Sequence, residues 1–179
     1  FKEHYIEITN NTSLYMVLDA IDIDDTGILK PYSTTLTNTA VVGQQLVYPE
    51  KGWQRVDDTN TNISYSTDVT WSTNITGYPV YNSTLHWNGS NSSVGSIKFN
   101  FIGSKIRLVQ SSSTIYGNNN TITIDGIPYT FSTNNTSEST LRQVLVFNKT
   151  DLVFGEHLIV ITGATNGTYR LECDAIDID

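Results

Sequence analysis

Near its C-terminus the chain alternates apolar Tyr169, Leu171, Cys173 and Ala175 with Arg170, Glu172 and Asp174. That period of two predicts a strand with one buried face. The phase then slips by one residue, because Ile176 and Ile178 are apolar while Asp177 and Asp179 are polar. Such a slip requires either a β-bulge or a strand end buried on both sides. The same alternation runs through Ile97, Phe99 and Phe101 against Lys98 and Asn100, and through Ile122 and Ile124 around Thr123. Each of these patterns belongs to a sheet with one face in a core. Strand signals recur at 53–56, 63–65, 69–71, 85–87, 97–102, 105–110, 121–124, 129–131, 143–147, 157–161 and 169–178. Between them lie Gly, Asn and Ser clusters such as 117–120 and the turn Asp125–Gly126. No segment carries a helical period, so the expected fold is all-β, an antiparallel β-sandwich.

The beginning of the chain repeats its end. FKEHYIEIT (1–9) matches FGEHLIVIT (154–162) at a shift of 153, and LDAIDID (18–24) matches CDAIDID (173–179) at a shift of 155. Matches on both sides of a length change predict an internal repeat of about 155 residues. Residues 1–24 are then the C-terminal strands of a preceding repeat, or exchanged strands. Residues 25–51, with Gly27, Pro31 and Pro49, read as a linker or a loosely packed lead-in. Residues 52–179 form one β-sandwich domain. The phase slip recurs at Ala20–Ile21, which makes it a property of the unit. Cys173 takes the place of Leu18 and is therefore expected in the core as a small hydrophobe, not as a nucleophile or a metal ligand. His157 recurs as His4 at the head of an apolar strand and is expected to be structural.

Charged residues are only 16% of the chain, and Asn, Ser and Thr supply most of the polarity. The net charge of −8 and ten scattered Lys and Arg argue against a nucleic-acid partner, which needs clustered cations, and against an anionic membrane surface. No apolar run approaches a membrane-spanning length, so no membrane insertion is expected. A single cysteine rules out a disulfide framework. The sequence N-x-S/T begins at Asn10, Asn11, Asn62, Asn74, Asn82, Asn88, Asn91, Asn119, Asn134, Asn135, Asn148 and Asn166, which is 12 of 17 asparagines. Random placement of the Ser and Thr would give roughly 4. The excess predicts an extracellular or cell-surface glycoprotein, with compositional accident as the competing explanation.

The succession GWQRVDDTNTNISYSTDVTW (52–71), GSIKFNFIGSKIRLVQSSS (95–113), TITIDGIPYTFS (121–132), QVLVFNKTDLVFGEHLIVIT (143–162) and the final DAIDID resembles the galactose-binding-domain-like jelly rolls. These are related in fold to several carbohydrate-binding module families and recur in secreted and cell-surface proteins. The resemblance spans roughly Trp53 to Asp179. It implies a jelly roll of two antiparallel sheets, a structural Ca2+ ion served by a carboxylate of the last strand, and a glycan site in loops at one end.

Asp57 and Asp58 in VDDT, together with Asp174 and Asp177 at the slipped strand, are the candidate metal ligands. Calcium takes six to eight oxygens including carboxylates, and the slip turns Asp174 and Asp177 toward one side. Equally, these carboxylates can cap turns and carry solubility charge. Tyr78, Tyr81 and Tyr116 lie in Gly/Asn/Ser loops and are the candidate carbohydrate-binding aromatics, while Trp53 and Trp71 are expected in the core. No nucleophile elbow, zinc-protease motif or phosphate loop occurs. Asp57 and Asp58 point to opposite faces if extended, whereas acid/base catalysis needs two groups in one cleft. The expected function is a non-catalytic structural repeat of an N-glycosylated fibre, filament or adhesin that associates with neighbouring copies of itself. The alternative is a glycan-binding module of a secreted enzyme or adhesin, with surface glycans as partners.

Overall fold

The computed structural model describes residues 6, 8–11, 13, 15–23, 40–73, 75–88, 95–136, 139–164 and 171–179. Most of 25–51, His4, Tyr169 and the sequons at Asn74, Asn91 and Asn166 lie outside the described residues. The chain divides into two units, Phe1–Asn38 and Thr39–Asp179. In the first, none of the described residues is in a helix or strand, and Ile6, Ile8, Leu18, Ile21 and Ile23 are exposed.

The second unit is all-β among its described residues, apart from a short 3-10 turn at Tyr81–Ser83. In order, the strands are β1 Gln54–Asp57, β2 Ser64–Tyr65, β3 Trp71–Ser72, β4 His86–Asn88, β5 Ser96–Gly103 and β6 Ile106–Ser112. There follow β7 Asn120–Ile124, β8 Ile127–Phe131, β9 Leu141–Lys149, β10 Gly155–Thr162, β11 Glu172–Cys173 and β12 Ala175–Ile178. They form a four-stranded sheet β1-β12-β6-β9, a five-stranded sheet β2-β5-β10-β7-β8 and a three-stranded sheet β11-β4-β3. Every pairing is antiparallel.

The alternation that predicts the strands also builds the core. Ile97, Phe99 and Phe101 of β5 and Ile159 and Ile161 of β10 meet Ile106 and Leu108 of β6, Val144 and Val146 of β9 and Ile176 of β12 in one apolar cluster. The five- and four-stranded sheets thus enclose it in a sandwich-like arrangement. Between β7 and β8 the predicted Asp125–Gly126 turn forms, with φ of 51° and 83°, the two left-handed residues that a tight hairpin of this twist needs.

The phase slip resolves as a change of sheet at Asp174. Strand β11 pairs with β4, whereas β12 pairs with β1 and β6. Leu171, Cys173 and Ile176 face the main core, while Ala175 joins Leu46, Val109 and Leu145 in a second cluster. Residues 171–177 are all buried, which is the strand end covered on both sides.

Leu46 shows that the lead-in is more than a linker. Gly43 N–H donates to the Leu145 carbonyl at 2.8 Å, Leu145 N–H to Gln44 at 2.9 Å and Leu46 N–H to Gln143 at 2.7 Å. Residues 43–46 therefore run along β9 as an edge segment and belong to the β unit. Trp53 is buried but lies in neither apolar cluster. Instead, its ring is covered by the Arg107 guanidinium at 4.0 Å and the Lys105 ammonium at 4.7 Å. Trp71 packs against the main core and against Tyr65, with ring centroids 5.0 Å apart.

Candidate functional site

The end of β1, the start of β4 and the β11–β12 junction bring the acidic residues into two separate arrangements. Strand β1 stops at Asp57, so the chain turns before the opposite-face geometry expected for Asp57 and Asp58 can hold. Both carboxylates instead reach Thr84, whose hydroxyl lies 2.7 Å from Asp58 Oδ1 and 3.2 Å from each Asp57 oxygen. A hydroxyl has one proton to give, and the shorter distance assigns it to Asp58. Asp57 also accepts from the Thr59 hydroxyl. The second oxygen of Asp58 meets His86 Nδ1 at 2.5 Å, and the His86 ring stacks on Tyr65 at 4.1 Å. Tyr65 in turn donates to the Asp58 carbonyl at 2.7 Å. Burial pushes the Asp58 carboxyl above its usual range, against the lowering effect of the His86 and Thr84 bonds.

Asp174, fully buried, accepts the Tyr81 N–H on Oδ1 at 2.8 Å, while its Oδ2 has no hydrogen-bond partner among the described residues. Burial, together with the nearby Asp58 and Glu172 charges, pushes its pKa up to about 7 despite that hydrogen bond and Arg55. The Cys173 thiol is likewise pushed up by burial, as befits a core side chain.

Asp177 belongs to the other arrangement. Arg55 Nε and Nη2 donate to its two oxygens at 2.6 and 2.9 Å, a bidentate pair buried on both sides. Arg55 Nη1 donates to the Leu46 and Val47 carbonyls, both at 2.9 Å. Register continues the row: Arg55 faces Asp177, Asp177 faces Arg107, and Arg107 faces Asn148. Arg107 Nη1 donates to Glu50 at 2.8 Å and its Nε to Asn148 Oδ1 at 3.1 Å. The row ties the lead-in segment to the four-stranded sheet. No local sequence signal marks it, because it depends on cross-strand register.

Of the four proposed metal ligands, Asp58 and Asp177 have both carboxylate oxygens engaged within the protein. Asp177 is neutralised by Arg55, and both oxygens of Asp58 are held by His86 and Thr84. Among the described residues no group of three His, Cys, Asp or Glu is arranged to hold a metal. The Asp174 Oδ2 is one oxygen, far from the six to eight that calcium takes. With Asp58 and Asp177 held in these bonds, millimolar calcium or EDTA is expected to move Tm by less than about 1 °C, because a ligand stabilises only as far as it binds the native state. A calcium-dependent rise of several degrees in a thermal melt overturns that assignment.

Three further residues, His157, Asp125 and Asp179, have structural tasks. His157 Nδ1 faces Asp125 Oδ2 at 2.6 Å and Nε2 faces the Val153 carbonyl at 3.0 Å. Acceptors on both nitrogens favour the doubly protonated ring, and the Asp125 bond raises its pKa. Asp125 also accepts the Leu158 N–H at 2.8 Å and closes the hairpin against β10. Asp179 accepts the N–H groups of Ser104 and Lys105 and caps the turn between β5 and β6.

No family model matches the chain, and no curated protein matches it.

The candidate aromatics differ in exposure. Tyr116, expected on an exposed loop, is 3% exposed, because its loop folds back: Tyr116 N–H donates to Ser113, and Asn134 Nδ2 donates to the Tyr116 carbonyl. Tyr81 is half-buried against the second cluster, beneath Arg55 at 5.5 Å. Only Tyr78 is exposed, and the Arg142 guanidinium covers its ring at 4.7 Å. Arg142 donates to the Ser111 hydroxyl at 2.7 Å and lies 3.8 Å from buried Glu172, so it too is tied down by neighbours.

Among the described sequons, Asn10, Asn11, Asn62, Asn82, Asn119 and Asn148 are exposed, and Asn134 and Asn135 are half-buried. Asn88 is 3% exposed, and its Oδ1 accepts the Leu171 N–H at 3.2 Å.

Proposed function

We propose that this chain is a non-catalytic structural repeat of an extracellular, N-glycosylated fibre, filament or adhesin, built on the jelly-roll topology of galactose-binding-domain-like modules. The observation that carries the reading is the duplicated closing segment, 1–24 against 154–179, on a unit whose acidic and aromatic side chains are mostly absorbed by internal bonds. A module committed to packing of this kind is suited to bearing load and resisting proteases. The sequon excess is the second support, since glycans on exposed asparagines shield loops without touching the core. Partners in this reading are neighbouring copies of the same repeat.

Two measurements on native material test it. Electron microscopy is expected to show filaments or rods with a regular axial repeat; isolated globular particles oppose the reading. Glycopeptide mass spectrometry is expected to find Asn62, Asn82, Asn119 and Asn148 occupied, and Asn88 unmodified because its side chain is buried and bonded. Bare asparagines throughout would mean that the sequons are an accident of composition.

A further inference from the structure

The duplicated segment copies a particular part of the fold. Residues 1–9 repeat 154–162, which contain β10, and 18–24 repeat 173–179, which contain β12. Strand β10 lies inside the five-stranded sheet between β5 and β7, and β12 lies inside the four-stranded sheet between β1 and β6. The segment thus carries a second version of one interior strand from each sheet. Interior strands need neighbours on both edges and a partner sheet on one face.

The side chains say the same thing. Ile159 and Ile161 are 0% exposed, whereas their counterparts Ile6 and Ile8 are 68% and 54% exposed. Ile176 is 2% exposed and Ile21 is 45% exposed. Asp177 is fully buried in its bidentate pair with Arg55, yet its counterpart Asp22 is exposed with no ion pair among the described residues. A pattern that packs perfectly well in one place and lies open in the other lacks its complement. That complement is present once in this chain and is already filled by β10 and β12. Residues 1–179 therefore hold two sets of closing strands and one set of receiving strands. Exchange between identical chains leaves that ratio unchanged, so pairwise swapping cannot cover the extra set.

Resting on the repeat reading above, we propose that residues 1–24 close the sandwich of another copy of this repeat, set in tandem ahead of Phe1. Residues 1–9 enter between that copy's β5 and β7, and residues 18–23 between its β1 and β6, with Asp22 paired to its Arg55. The segment is then the last part of one module and 25–39 the passage to the next.

The test extends the full chain with a copy of its own residues 25–153 placed ahead of Phe1, and follows amide hydrogen exchange at Ile6, Ile8, Ile21 and Ile23. Exchange there is expected to slow by about a thousandfold or more relative to the unextended chain, as it does in core strands. Asp22→Arg should abolish the slowing, and Arg55→Asp in the added copy alone should restore it. A control extended by 25–179 brings its own closing strands. It shows whether the added copy folds, and it should leave 1–24 unprotected. Equal exchange with and without the extension overturns the proposal, as does protection that ignores Asp22→Arg. Concentration-dependent protection in the unextended chain would mean swapping between molecules and also overturns it. None of these results touches glycan occupancy or filament formation, so the wider reading stands or falls separately.

Discussion

Replacing Arg55 by Met is expected to destabilise the β unit by about 3–5 kcal/mol, the range for leaving one member of a buried ion pair alone. Among the described residues Asp177 has no other cation bonded to it, and it is fully buried, so its charge is left uncompensated. The same change removes both hydrogen bonds from the guanidinium to the Leu46 and Val47 carbonyls. The lead-in segment should therefore loosen first. Urea denaturation measures the loss, and exchange at the Leu46 amide reports the loosening. The double variant Arg55→Met with Asp177→Leu should recover most of the stability, because two apolar side chains in that place need no mutual charge compensation. If the single variant is as stable as the parent, the Arg55–Asp177 pair is not what holds the lead-in to the sheet.

Asp174→Asn is expected to stabilise the protein at pH 8 and to destabilise it by about 1–3 kcal/mol at pH 4, where the parent carboxyl is neutral and only the amide cost remains. The native carboxyl titrates near 7, against 3.8 for an ordinary aspartate. Between those values the native state holds a proton that the unfolded chain has released, so stability falls as pH rises from about 4 to about 7. Above that window the cost of the buried charge is about 4 kcal/mol, from 1.36 kcal/mol per pKa unit. Asparagine keeps the acceptor for the Tyr81 N–H but buries an amide that lacks an acceptor, which costs about 1–3 kcal/mol. The net gain at pH 8 is then on the order of 2 kcal/mol. Denaturation midpoints at pH 4, 6 and 8 check this: the parent should weaken across the series by more than the variant does. Parallel curves for the two proteins would show that Asp174 does not carry the pH dependence.

The Asp174 environment also explains the phase slip seen in the sequence. Leu171 and Cys173 face the core from one sheet and Ile176 from another, and Asp174 sits at the change. The three aspartates of DAIDID then have three different tasks: Asp174 holds the Tyr81 N–H, Asp177 holds Arg55, and Asp179 caps the turn at Ser104 and Lys105. Read as a motif they suggest a cation site, because oxygen-rich clusters in sequence look alike whether they bind an ion or backbone N–H groups. Tyr116 misled in a similar way. Gly and Asn around it signal a turn, but not whether the turn lies open or folds onto Thr133, as Thr133 N–H to the Gly117 carbonyl at 2.8 Å shows that it does.

The all-β class, most strand positions, the Asp125–Gly126 hairpin, the buried thiol and the duplicated segment were all determined by the sequence alone. These features are local, since a period of two or a left-handed turn is written in adjacent residues, and a repeat needs only comparison. Tertiary structure decided which carboxylate meets which cation, where the last strand changes sheets, and that the lead-in lies along β9. Arg55 and Asp177 are separated by 122 residues, and Asp174 and Tyr81 by 93. Such partners are set by strand register across the whole unit, and a shift of one residue turns every side chain to the opposite face.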